Sequence, residues 1–127
     1  YGKNKSSLSL APISRYPEAV EKAYEAGRQY DIRVATFGHA GDGNLHTEIL
    51  SKKGDDDARR RAELVNEELV RWAISVGGTA TGEHGVGIGK RKFMALEHGT
   101  SLEVMKQIKH LLDPNNILNP GKIFEER

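Results

Sequence analysis

The stretch Ile32-Arg33-Val34-Ala35-Thr36-Phe37-Gly38-His39-Ala40-Gly41-Asp42-Gly43-Asn44-Leu45-His46-Thr47-Glu48-Ile49-Leu50 decides the fold. Its two ends, Ile32 to Phe37 and Leu45 to Leu50, are short β-rich runs, and the glycine-rich segment between them contains Asp42-Gly43, so it reads as a β-hairpin with a loop longer than two residues. Alternation along the second run places Leu45, Thr47 and Ile49 on one face and His46 with Glu48 on the other. The first face enters a core and the second displays His46 on the polar side. Upstream, Ser6 to Ile13 reads as a strand whose end Pro12 places at a sheet margin or bulge. Pro17 then opens a helix with Glu18 and Glu21 near its positive end, and Val20, Ala23, Tyr24 and Gly27 form its apolar face.

Downstream, Asp55 to Asp57 start a long helix whose Ala58, Ala62, Val65, Leu69, Trp72, Ala73 and Val76 make one apolar stripe, stopped by Gly77-Gly78. Lys90 to Glu97 predicts a short helix. Thr100 with Glu103 predicts a capping box for another that runs to Leu112, turns Leu102, Met105, Ile108 and Leu112 inward, and stops at Asp113-Pro114. Strand, helix, strand, strand, helix, then a further extended segment and helices, is a split β-α-β order. The expected class is α+β, with helices on one face of a largely antiparallel sheet.

Composition bounds the rest. The chain has 127 residues, enough for a single domain over 1–127 that hides roughly two thirds of its unfolded surface. Nineteen basic against eighteen acidic residues leave a net charge of +1, spread along the chain, which gives no electrostatic case for nucleic acid. Cysteine is absent, which removes disulfides, thiolate ligands and thiol nucleophiles together and fits a reducing, cytoplasmic compartment. No apolar run approaches a transmembrane segment and no signal-peptide pattern opens the chain. It begins at Tyr1 rather than methionine, so the expectation is a fragment of something longer.

Chemistry concentrates in two glycine-rich stretches. Gly38 to His46 holds His39 and His46, and Thr81 to Gly87 holds Glu83 and His84. If the hairpin pairs as expected, His39 and His46 meet at its mouth, and with Glu83 they make a His-His-Glu set that catalytic zinc uses and that manganese or iron accepts. Adjacent Glu83 and His84 would point to opposite faces of a regular strand. The flanking glycines relieve that conflict. The inferred roles are Glu83 as third metal ligand and His84 as the proton acceptor beside it, since imidazole titrates near neutral pH. The competing structural reading has the histidines hydrogen-bond a tight turn and makes Glu83-His84 an ion pair or a turn. Gly85 to Lys90 invites a phosphate-loop reading but fails it, because Arg91 stands where serine or threonine is required and no G-x-G-x-x-G register exists. Lys90 is either a contact for a substrate carboxylate or a solvated lysine. Asp42 is read as a turn former, Asn44 as a turn former or a partner of the histidines, Trp72 as core, and His98 and His110 as residues near helix ends.

Phe37 to His46 (FGHAGDGNLH), Gly77 to Lys90 (GGTATGEHGVGIGK) and Leu112 to Phe124 (LDPNNILNPGKIF) together resemble the C-terminal cap domain of FAD-linked 2-hydroxy-acid oxidoreductases, a family of D-lactate dehydrogenases, the glycolate oxidase flavoprotein subunit and D-2-hydroxyglutarate dehydrogenase. The likeness runs from about Ile13 to Phe124. It implies a ferredoxin-like fold, with His39, His46 and Glu83 as ligands of a divalent metal, zinc first, and His84 as the histidine that meets the substrate hydroxyl. It implies FAD as cofactor, held mainly by an N-terminal FAD-binding domain that has no counterpart here, so the chain looks like the last part of a larger dehydrogenase or oxidase and is expected to be inactive alone. Asn119 either borders that cofactor or forms a turn. The electron acceptor is undetermined, and the full-length enzyme could sit peripherally on a membrane. Glu48 stands where hydroxyglutarate-type members have asparagine; a carboxylate there would repel a second substrate carboxylate, which favours a monocarboxylate such as D-lactate or glycolate. The alternatives are a detached, non-catalytic metal-binding or interaction module and, last, a stand-alone metal hydrolase.

Overall fold

The computed structural model describes residues 5–124; Tyr1 lies outside them. The chain groups into two compact units, Tyr1–His84 and Gly85–Arg127. In the first, β1 (Lys5–Leu10), α1 (Tyr16–Gln29), β2 (Arg33–His39), β3 (Asn44–Leu50) and α2 (Asp56–Ser75) follow one another as expected. The strands form one antiparallel sheet in the order β1-β3-β2, so β3 inserts between the two strands that α1 connects. That is the split β-α-β arrangement, and the class is α+β. The further extended segment is reduced, among the described residues, to a single antiparallel bridge between Leu10 and Thr79. Its two hydrogen bonds are Thr79 N–H to Leu10 O, 2.9 Å, and Leu10 N–H to Thr79 O, 3.3 Å. Gly78 permits this approach, because a Cβ there would lie 2.0 Å from Leu10 O.

Two boundaries differ from the reading of the sequence. β1 stops at Leu10 rather than Ile13: Pro12 has no N–H for a ladder, and Ile13–Arg15 instead coil into a 3-10 turn closed by Arg15 N–H to Pro12 O at 2.7 Å. The buried face of α1 is Ala19, Ala23, Ala26 and Gly27, whereas Val20 is half-buried and Tyr24 is 41% exposed. Small side chains win that face because they let the helix lie close to the sheet. α2 follows its pattern with two differences: Asn66 and Val70 are buried beside the stripe, and Val76 stands past the last helical residue, Ser75, as a half-buried C-cap. Asp55 caps it by accepting from Ala58 N–H at 2.8 Å, Ala58, Ala62, Val65, Leu69 and Ala73 are buried, and Gly77 ends it at φ 82°. Trp72 is half-buried and packs against a small cluster of Ala11, Ala19 and Leu45. The larger cluster joins Ala23, Ala26, Ile32, Ile49, Ala58, Ala62, Val65 and Leu69, which places both helices against the Leu45–Thr47–Ile49 face of the sheet.

In the second unit the expected short helix is a 3-10 turn, Arg91–Phe93, that continues into α3 (Met94–His98), and α4 spans Ser101–Leu112. The Thr100 side chain does not make its half of the capping box. Thr100 already has helical dihedrals (φ −67°, ψ −22°) and makes no side-chain cap, while Glu103 pairs with Lys106 at 2.8 Å. The inward stripe of α4 is also shorter than its periodicity implies: Leu102 is buried and Met105 half-buried, but Ile108 is 53% and Leu112 74% exposed. Short α3 packs on α4, and burial along the α4 face ends after Met105. Asp113 ends the helix as expected. Its carboxylate accepts from Lys109 and from the N–H groups of Ile117 and Leu118, both at 2.9 Å, tying the following turn to the helix end. No described helix is long and apolar enough to cross a membrane.

Candidate metal centre

The hairpin register sets the site. His39 faces Asn44 and Phe37 faces His46, so the side chains of all four stand on the sheet surface opposite the helices. The loop is shaped by a 3-10 turn at Ala40–Asp42 and by Gly43 in the left-handed region at φ 71°. Ala11 N–H then donates to Gly43 O at 3.0 Å, which fastens the loop to the chain leaving β1.

Glu83 arrives from the other side. After the Leu10–Thr79 bridge the chain runs through irregular bends from Ala80 to His84. Thr79 Oγ1 accepts from Thr81 N–H at 3.3 Å and lies 3.4 Å from Thr81 Oγ1, so the approach to Glu83 is held locally. The Glu83 carboxylate oxygen Oε1 stands 3.4 Å from His46 Nε2, 4.0 Å from His39 Nε2 and 3.7 Å from His84 Nε2. One donor atom from each of His39, His46 and Glu83 falls within a set no more than 4.8 Å across. Ligands about 2.1 Å from a tetrahedral cation lie about 3.4 Å apart, so the spacing suits a divalent ion after small adjustments, and the donor types suit zinc. The adjacency conflict between Glu83 and His84 does not arise, because this segment is not a strand and both side chains reach the same cluster.

The four groups differ in exposure. His46 is only 9% exposed, contrary to the expected display on an open polar face, because the Phe37 ring lies parallel to it at 5.0 Å and the rings of His39 and His84 meet it edge-on at 5.7 and 6.0 Å. The side chains of His39, Glu83 and His84 remain 59%, 50% and 66% exposed. One ligand is therefore embedded and the others open outward, which leaves access for a small molecule. Asn44 is buried, and its Oδ1 has no hydrogen-bond partner among the described residues; it occupies the row of the sheet that carries His39. Glu48 lies one row beyond His46 on the same face, opposite Ala35.

Lys90 and Asn119 belong to the second unit. Asn119 has φ 49° and its carbonyl accepts from Lys122 N–H at 3.4 Å, the geometry of a turn. The Phe37 stack and the Thr79–Thr81 pair had no place in the reading of the sequence. Phe37 was within reach of it, since counting the hairpin back from the loop puts Phe37 opposite His46; the threonine pair depends on the bridge to β1. A groove of about 740 Å³ lined by Tyr24, Arg28, Arg33, Leu50, Lys52 and Arg61 lies at the far end of the hairpin from His39 and takes no part in the cluster.

Residues 9–123 match the sequence profile of the family described as FAD linked oxidases, C-terminal domain. The chain is 42% identical over 114 residues to the mitochondrial D-lactate dehydrogenase [cytochrome] of Arabidopsis thaliana, covering 89% of this chain and 20% of the relative. It is 41% identical over 117 residues to glycolate oxidase subunit GlcD of Bacillus subtilis (strain 168), covering 91% and 25%. With the D-2-hydroxyglutarate dehydrogenase of Stutzerimonas stutzeri (strain A1501) it shares 33% identity over 126 residues, covering 96% and 27%. It thus spans about a fifth to a quarter of the length of these relatives. The chain belongs to the family of FAD-linked oxidase C-terminal domains.

Proposed function

We propose that this chain is the metal- and substrate-binding part of an FAD-dependent D-2-hydroxy-acid dehydrogenase or oxidase that converts a monocarboxylate such as D-lactate or glycolate to the 2-keto acid. The observation that carries the reading is the convergence of His39, His46 and Glu83 on one volume with His84 at its edge. His39, His46 and Glu83 would hold a divalent cation, zinc first. When bound, such a cation would supply Lewis acidity toward a hydroxyl and a carboxylate, and the flavin of the parent enzyme would supply a two-electron acceptor. The chain's own residues do the rest. His46, nearly enclosed, fixes the position of the set, while the exposed edges of His39 and Glu83 leave room for substrate oxygens. His84 accepts the hydroxyl proton at its imidazole and, being two-thirds exposed, passes it to solvent. Glu48, on the same face, sets a negative charge along the sheet that disfavours a second substrate carboxylate. Lys90 is assigned to the substrate carboxylate and Asn119 to the cofactor border. FAD, the FAD-binding domain and an electron acceptor complete the reaction in the parent protein.

Metal analysis of the chain and of His39→Ala and Glu83→Ala should show occupancy lost in both variants. In the full-length enzyme His84→Ala should keep the metal and lose turnover by at least about a hundredfold, the lower range for a general base. Unchanged metal content in the first pair, or ordinary turnover in the second, refutes the assignment.

A further inference from the structure

A histidine can serve as a ligand only when its ring plane contains the metal, because the nitrogen lone pair lies in that plane. For an imidazole the torsion about Cβ–Cγ is broad and roughly two-fold, so something must choose the plane. Metal-bound histidines ordinarily have this done by a hydrogen bond on the other ring nitrogen. His46 shows no such bond at Nδ1 among the described residues. What lies against its ring is Phe37, its directly opposed partner across β2 and β3, with centroids 5.0 Å apart and planes 13° from parallel. The other two rings in contact, His39 and His84, meet it near perpendicular at 75° and 72° and are themselves parts of the cluster. In this orientation Nε2 of His46 points toward Glu83 Oε1, 3.4 Å away, the shortest approach within the set.

We infer that Phe37 is the positioning residue of the metal centre, an aromatic plate that fixes the His46 ring for ligation in place of a hydrogen-bonded partner. This rests on the metal reading proposed above. The exposure of Phe37 argues against a mainly structural role, because a ring left 56% open to solvent contributes little to the core, whose clusters do not include it. Its contact with the histidine is what its position achieves. A parallel ring is required for this, so another planar ring should substitute for it and a branched aliphatic chain of similar bulk should not.

The test is zinc affinity, measured by competition with a chromogenic chelator, on the whole 127-residue chain and on its Phe37→Leu and Phe37→Tyr variants. Phe37→Leu should bind zinc about tenfold more weakly, the low end of the loss seen when an orienting partner of a metal-bound histidine is removed. Phe37→Tyr should bind within about twofold of wild type. The urea midpoint of the metal-free chain should be the same for all three, which separates positioning from folding. A second readout needs no metal. In proton NMR of the metal-free chain the His46 ring protons should be shifted upfield by the Phe37 ring current, with the shift retained in Phe37→Tyr and reduced in Phe37→Leu. Equal zinc affinity in wild type and Phe37→Leu, or His46 protons without an upfield shift in the wild type, overturns this inference alone. A wild-type chain that takes up no zinc overturns the metal reading and this inference with it.

Discussion

Replacing Gly43 by alanine separates the two costs that build the hairpin loop between the histidines. Gly43 has φ 71° and ψ 12°, a left-handed conformation that costs a residue with a Cβ about 1 kcal/mol. A Cβ there would also stand 2.1 Å from Ala11 O, inside any permissible contact. That oxygen belongs to backbone, so relief means moving the chain by about 1 Å, at an overpacking cost of about 1 kcal/mol or more. The same movement breaks the 3.0 Å bond from Ala11 N–H to Gly43 O, a further loss of about 1 kcal/mol. The expected destabilisation is about 3 kcal/mol. Two other glycines calibrate it. Gly54 has φ 83°, and a Cβ added to it would meet nothing within 4 Å, so Gly54→Ala should cost only the conformational part, about 1 kcal/mol. Gly41 has neither a positive φ nor a neighbour within 4 Å, and Gly41→Ala should lie within about 0.5 kcal/mol of wild type. Urea unfolding followed by fluorescence of Trp72, the single tryptophan, reports on the unit that holds all three positions. If Gly43→Ala unfolds at the same midpoint as Gly54→Ala, the close approach to Ala11 contributes nothing and the account of how the loop is fastened is wrong.

Ile49→Ala removes the largest aliphatic side chain that is fully buried between sheet and helices, and should cost about 3 kcal/mol by the same unfolding assay. Lys22 Nζ and Glu68 Oε1 pair at 2.7 Å across α1 and α2, and that hydrogen bond raises the lysine pKa against the opposing effect of burial. Its contribution, about 1 kcal/mol, should be present from neutral pH to about pH 10 and fade above it as the lysine loses its proton, so Glu68→Gln and wild type should converge there. Asp113 has its pKa lowered chiefly by the hydrogen bond from Lys109, with the N–H groups of Ile117 and Leu118 adding to it. A depressed carboxyl pKa contributes stability above the unfolded value near 3.9 that is lost as pH falls through the folded one. The protection of the Ile117 and Leu118 amides against hydrogen exchange, relative to the intrinsic rate at each pH, should therefore fall as pH drops below about 4 in the wild type, and should already be reduced at neutral pH in Asp113→Asn.

Much of the architecture could be read from local chemistry. The alternation of Leu45, Thr47 and Ile49, the Asp55 cap, the stripe from Ala58 to Ala73 and the stop at Gly77 each depend on a few neighbouring residues, and each appears where the pattern places it. The pattern failed where a partner was needed. Periodicity in α4 identifies an apolar face but not what covers it, so Ile108 and Leu112 were assigned inward and are exposed. Thr100 and Glu103 have the spacing of a capping box, but Thr100 has helical dihedrals and its side chain makes no cap, while Glu103 pairs with Lys106.

The same division holds at the site. Sequence alone determined the inventory: two imidazoles at the mouth of a hairpin, a Glu-His pair between glycines, and the family to which those motifs belong. Tertiary structure brings that inventory together, with donor atoms of His39, His46 and Glu83 within 4.8 Å of one another. Glu83 is separated from His46 by the whole of α2, and it comes within 3.4 Å where the bridge at Leu10 and Thr79 has returned the chain beside β1. It also decided that His46 is buried beneath Phe37 rather than displayed to solvent. Residue types and short spacings are set by covalent connection and local torsion, whereas distance across a sheet and the burial of one ring by another follow from packing between segments that are remote along the chain.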